Sequence, residues 1–239
     1  MGTMLLASCL VGCPTRPRPP APPVEQAVPG HPALALHEGR PYDILSGESL
    51  LTILVFRGGP LAKAGHNHVI ASHTLAGTIY VPSNVIRSTF ELHIPVAELT
   101  VDEPSLRAKE NAADFPPDVP DSVKEGTRGN LLSEALLDAA RYMEIVLRTE
   151  RLDPSVKGPA NQVLAHVQVT VRDQQHSIAV PVRYELNADE VIASGELPLK
   201  QSDLGLTPFS ALLGALQVQD EMQVKFRITA RAAKTIGPT

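Results

Sequence analysis

From Met222 to Arg231 apolar and polar side chains alternate without a break. Met222, Val224, Phe226, Ile228 and Ala230 fall on one side, Gln223, Lys225, Arg227, Thr229 and Arg231 on the other. Only an extended strand, whose successive side chains point to opposite faces, turns that order into one apolar and one wetted surface. Residues 177–186 repeat it: Ile178, Val180, Val182, Tyr184 and Leu186 are apolar, while Ser177, Arg183 and Glu185 face the other way. Residues 163–172 alternate as regularly, and Phe90, Leu92 and Ile94 alternate with Thr89, Glu91 and His93. Shorter runs at 49–56, 78–81, 143–149 and 191–199 bring the total to about eight strands.

Eight antiparallel strands with polar outer faces close into a barrel, whose interior either fills with side chains or holds one small ligand. The expected fold is therefore all-β, an antiparallel eight-stranded barrel. One helix is expected over residues 130–140, where Leu131, Leu132, Ala135, Leu136 and Ala139 share a face that would cover a barrel opening or edge. The inward positions are candidates for a hydrocarbon-binding lining: Leu54, Phe90, Leu92, Ile94, Val169, Val180, Val182, Tyr184 and Phe226, with Phe209, Leu212 and Leu213 near a mouth. Apolar surface removed from water is worth about 25 cal/mol per Å², so a long apolar chain gains affinity there with few polar contacts. A filled barrel serving as an interaction module is the alternative use of the same residues.

Composition narrows the partners. Lys and Arg number 21 against 26 Asp and Glu, so no excess of cation is available to neutralise a phosphate backbone, and nucleic acid is not expected as a partner. Aromatic residues make up 4% of the chain and Trp is absent, which removes the usual stacking platforms for bases. Aliphatic side chains must then form the core and any pocket.

Both cysteines, Cys9 and Cys13, lie in the first thirteen residues, so no disulfide braces the folded part. Residues 4–12 are apolar or small and end at Cys13, as in an export signal. The tetrad Leu10-Val11-Gly12-Cys13 looks like a bacterial lipobox, in which the cysteine becomes an acyl anchor; Leu6-Ala7-Ser8-Cys9 also fits but leaves too short an apolar run. Eight of the nineteen residues from Pro14 to Pro32 are proline, which favours an extended stalk. The expected organisation is a lipoprotein signal peptide over 1–12, a proline-rich linker over 13–40 and one barrel over 41–235. It would be held through a membrane anchor on the periplasmic side of a bacterial envelope.

Candidate chemistry is sparse. His66 and His68 would share a face of an extended segment and could grip one metal ion or haem, with His73 near in sequence and Asp43 a conceivable partner. Such a site wants a third or fourth ligand, and the competing expectation is a turn whose histidines bond the backbone or sit at the rim. Ser202 and Asp203 stand in a glycine-containing turn where their side chains bond nearby amides. No Gly-x-Ser-x-Gly elbow or phosphate loop is present, so catalysis is not indicated and no cofactor is expected. The charged, proline-rich stretch 101–124 reads as a solvated loop.

The order of several segments resembles the YceI-like family of exported, lipocalin-like barrels. Tyr42-Asp43-Ile44 followed by Glu48-Ser49-Leu50-Leu51-Thr52-Ile53 looks like its opening strand, and Gly65-His66-Asn67-His68-Val69-Ile70 with Gly77 resembles the branch that carries a Gly-His-x-His form. Residues 132–137 and Tyr142-Met143-Glu144-Ile145 look like its helix leading through Tyr-Pro into a strand, with Met143 in the proline's place. Residues 164–182 resemble its strand pair, and Gln201-Ser202-Asp203-Leu204-Gly205-Leu206 its Ser-Asp-Phe-Gly turn, with Leu204 in the phenylalanine's place. The resemblance spans residues 41–235 and implies a non-enzymatic protein that binds polyisoprenoid-type lipid.

Overall fold

Among the described residues, twelve strands form one antiparallel sheet: β1 (Arg40–Ile44), β2 (Leu50–Gly58), β3 (His68–Ser72), β4 (Ala76–Val81), β5 (Thr89–Pro95), β6 (Thr100–Val101), β7 (Glu144–Pro154), β8 (Gln162–Val171), β9 (Gln174–Leu186), β10 (Glu190–Lys200), β11 (Ser210–Ala211) and β12 (Leu216–Ala232). The computed structural model describes residues 37–155 and 158–233. The leader, Cys13 and the proline-rich stretch lie outside the described residues.

Several short strands are halves of longer ones. β1 and β2 both pair with β12, through Tyr42↔Ala232 and Gly58↔Gln217, and are broken at residues 45–49. Ser49 bridges the break: its hydroxyl donates to the Thr229 carbonyl oxygen at 3.3 Å and accepts from the Thr229 N–H at 3.1 Å. β3 and β4 continue the next wall position, pairing with β2 and β1 respectively, and β6 and β5 the one after. With β7, β8, β9, β10 and β12 this makes eight wall positions, and the β1–β12 pairing closes the ring. All eight strand segments expected from alternation are present. Gly77 in β4 holds a φ of +143°, and a Cβ there would run into the Glu91 carbonyl oxygen, so glycine is required where β4 runs close against β5.

The β9–β10 seam is the short one. It carries four pairs, from Val191↔Leu186 to Ser194↔Arg183, and stops where Pro181, which has no N–H, meets Gly195. The turn Gln201–Leu204 packs against β9 beyond that point, with Gln201 and Leu204 buried. Ser202 serves this turn, donating from its hydroxyl to Asp220 at 2.6 Å.

Two local expectations are corrected. The helix lies at Asp121–Leu132 (α2, after the one-turn α1 at Pro104–Arg107), not at 130–140. Past Leu132 the chain makes successive turns, with Asp138 at a φ of +47°, so apolar residues at helical spacing belong to compact turns instead. Leu131, Leu136 and Leu137 still face the barrel interior. Nor is 101–124 a solvated loop: Leu106 and Phe115 pack with Leu54, Val69 and Ala71 on the outer face of β2 and β3, forming a second small core. Arg107 and Asp102 are buried beside it.

The remaining outer face carries charge networks. On β5, His93 bonds Glu144 through Nδ1 at 2.8 Å and Glu91 through Nε2 at 2.9 Å, and Arg148 donates to Glu91 at 2.7 Å. Partial burial opposes protonation of His93, but the two carboxylates outweigh it and hold its pKa above the ordinary histidine value. A raised folded pKa stabilises below the unfolded value and is lost as pH rises through the folded one. Wild type should therefore exceed His93→Gln in stability by up to about 1 kcal/mol near pH 6, and the gap should close by about pH 9. Thermal unfolding of both proteins at the two pH values checks this.

Candidate functional site

The inward side chains of the barrel do not meet in the middle. They surround a cavity of about 650 Å³, within the ~300–1,000 Å³ typical of ligand pockets. From β9, Ile178, Val180, Val182, Tyr184 and Leu186 all line it, and from β12 Met222, Val224, Phe226 and Ile228. The cavity runs the length of the barrel, from Val81 and Leu186 at one end to His66, Leu206 and Phe209 at the other. Partly exposed interior aliphatics such as Ile53, Ile178 and Val224 owe their accessibility to this space.

Of the twelve residues expected to line it, nine do: Phe90, Leu92, Ile94, Val169, Val180, Val182, Tyr184, Phe209 and Phe226. Leu54 does not. It faces outward into the second core, and Leu51, Ile53 and Val55 supply the inner face of β2. The polar Thr52, on the same face as Leu54, was the available clue to that phase. Leu212 and Leu213 do not line the cavity either. They stand at the tip of the loop between β11 and β12 and are 68% and 108% exposed, with φ values of +51° and +55°. Such a backbone costs about 1–3 kcal/mol for each non-glycine residue.

Polar groups gather at the end of the cavity near α2, where Arg57, His66, His68, Thr127 and Asn130 reach its lining. His68 is fixed on both sides: Nδ1 lies 2.6 Å from the Asp102 carboxylate and Nε2 3.2 Å from the Thr127 hydroxyl. Asp102 also accepts from the Val69 N–H at 2.9 Å and from Arg107 at 2.6 Å, and Arg107 donates onward to the carbonyl oxygens of Asn67 and Pro116. Burial would raise the Asp102 pKa, but His68, the Val69 N–H and Arg107 together hold it below the ordinary range.

The metal reading finds no ligand set among the described residues. The rings of His66 and His68 are 6.2 Å apart and His68 has both nitrogens engaged. No group of three metal-ligating side chains forms among the described residues. His73 pairs with Glu103 at the surface, and Asp43 accepts from Thr78. Asp102 and Arg107 lie in a charged, proline-rich stretch that gives no local sign of burial, and Thr127 lies in a helix interrupted by Gly126 and Gly129 that gives no sign of facing a cavity.

The sequence matches the model of the YceI-like domain over residues 63–230, more than half of the chain. The chain belongs to the YceI-like family. Among solved structures, this YceI-like barrel is similar to BcnA from Burkholderia cenocepacia, with a TM-score of 0.56 and 17% identity, covering 79% of this chain and 99% of that one. It is also similar to a polyisoprenoid binding domain from Saccharophagus degradans implicated in plant cell wall breakdown, with a TM-score of 0.52 and 13% identity, covering 80% of this chain and 98% of that one. At these identities the likeness is one of fold. No curated protein matches the chain.

Proposed function

We propose that this barrel holds the hydrocarbon tail of a long apolar lipid, of the polyisoprenoid kind, and binds it without converting it. The observation that carries the reading is the 650 Å³ cavity, walled mostly by Leu, Ile, Val and Phe, with its polar residues gathered toward one end, and running along the barrel axis. Each methylene moved from water into such a wall gains about 0.8 kcal/mol, roughly fourfold in affinity, so chain length can supply tight binding. Membership of the YceI-like family and the fold shared with a polyisoprenoid binding domain support the same ligand class. The lipobox ending at Cys13 and the proline-rich stretch after it support acylation at that cysteine and a place on the periplasmic side of a bacterial envelope.

Organic extraction of the protein purified from its host, followed by mass spectrometry, is expected to release about one long-chain lipid per barrel. The intact mass from the same preparation should carry the acyl groups on Cys13. A folded barrel from which no lipid can be extracted, and which takes up none when offered, would end the carrier reading.

A further inference from the structure

We propose that the loop tip Leu212-Leu213 docks the barrel mouth onto a lipid bilayer, so that cargo passes between membrane and cavity without crossing water. The inference rests on the lipid-carrier reading for its purpose, but docking itself can be observed with an empty barrel.

The two ends of the barrel differ in what they offer to solvent. At the end that α2 partly covers, Leu61, Phe209, Leu212, Leu213 and Met143 are 47%, 38%, 68%, 108% and 75% exposed, whereas among the described residues the other end shows Leu186 at 39%, with Leu164 at 36% on the outer wall. Phe209 lines the cavity and is exposed as well, which places an opening beside it. The leucine tip belongs to that rim. Ala215, two residues past Leu213, accepts the Leu61 N–H at 2.8 Å, and Leu216 and Phe209 reach the cavity lining from the two arms of the same loop.

The backbone supplies an independent sign. Leu212, Leu213 and Gly214 hold φ values of +51°, +55° and +86° in succession. A turn that only had to reverse the chain would place Gly, Asn or Asp at such positions. Two strained leucines that stay this exposed among the described residues point to a partner outside the chain. An apolar tip beside a lipid-sized, aliphatic cavity fits hydrocarbon as that partner, and the exposed Lys63 in the neighbouring loop suits an anionic surface.

The absence of Trp gives a clean reporter. The full chain carrying Leu213→Trp is mixed with vesicles of phosphatidylethanolamine and phosphatidylglycerol. Indole emission should shift to the blue and be quenched by acyl-brominated lipid, while Leu164→Trp on the outer wall should do neither. The double variant Leu212→Asn, Leu213→Asn suits the left-handed backbone, so it should fold at least as stably, yet take up cargo from vesicles about tenfold more slowly or worse. Its final lipid content should be unchanged. An indole at 213 that stays solvent-exposed with vesicles present overturns docking, as does a blue shift that follows protein concentration alone, which would mean a second copy covers the tip. If docking is seen and extraction finds no cargo, the carrier reading fails and the docking surface stands.

Discussion

Asp102→Ala should destabilise the barrel by about 3–5 kcal/mol, a large share of the roughly 5–15 kcal/mol that holds a domain of this size together. The Asp102 and Arg107 side chains are 0% and 1% exposed, and the carboxylate takes three bonds, from His68, the Val69 N–H and Arg107. Removing it leaves a guanidinium buried with its charge uncompensated and frees His68 at the cavity end. Asp102→Asn should lose a comparable amount: asparagine tolerates the φ of +55° at this position, so that loss would be electrostatic and not conformational. Urea unfolding near neutral pH measures both.

The same carboxylate sets the acid limit. Its pKa is held below the ordinary aspartate value, so the stability it contributes is complete above that value and is lost as pH falls through the folded one. Wild type should accordingly lose stability below about pH 4, and the difference from Asp102→Ala should narrow there. If Asp102→Ala stays within about 1 kcal/mol of wild type at neutral pH, the arm from Asp102 to Phe115 is not tied to the barrel by charge.

How much of this was legible in the sequence depended on whether one face of a segment meets water. β9 and β12 meet the cavity on one side and solvent on the other over much of their length, so alternation gave their span and inner face. β2 is different, because the arm carrying Leu106 and Phe115 covers its outer face and residues 50–56 are apolar apart from Thr52; a strand buried on both sides leaves its phase to that one residue, and the alternation expected around Leu54 points the wrong way. The break between β1 and β2 is set by Ser49 reaching Thr229, 180 residues away, which no local pattern reports. α2 carries Gly126, Thr127 and Gly129 in its middle and would not form by propensity alone. Leu131 in its last turn packs into the barrel core, and Arg128 donates to the carbonyl oxygens of Leu99 and Ala97. The cavity itself follows from how eight wall positions close, a property of the ring and not of any strand.

Ala193→Phe tests whether that space is real and used. Ala193 lies on β10 opposite Tyr184 and Ile228 and lines the cavity. In a barrel filled by its own side chains, a ring forced in at this position would overpack the core and cost about 1–3 kcal/mol. In the hollow barrel the ring enters room already present and covers aliphatic neighbours, so stability should hold or rise slightly. The cost falls on the ligand: displacing even two or three methylenes of a lipid tail weakens binding by about tenfold or more at ~0.8 kcal/mol each. Unfolding and extraction must be measured on the same preparation, because only their combination discriminates. Full stability with lipid lost places the hydrocarbon in this cavity. Full stability with lipid retained places it elsewhere, and lost stability with no lipid in either protein means the interior is already occupied by the chain itself.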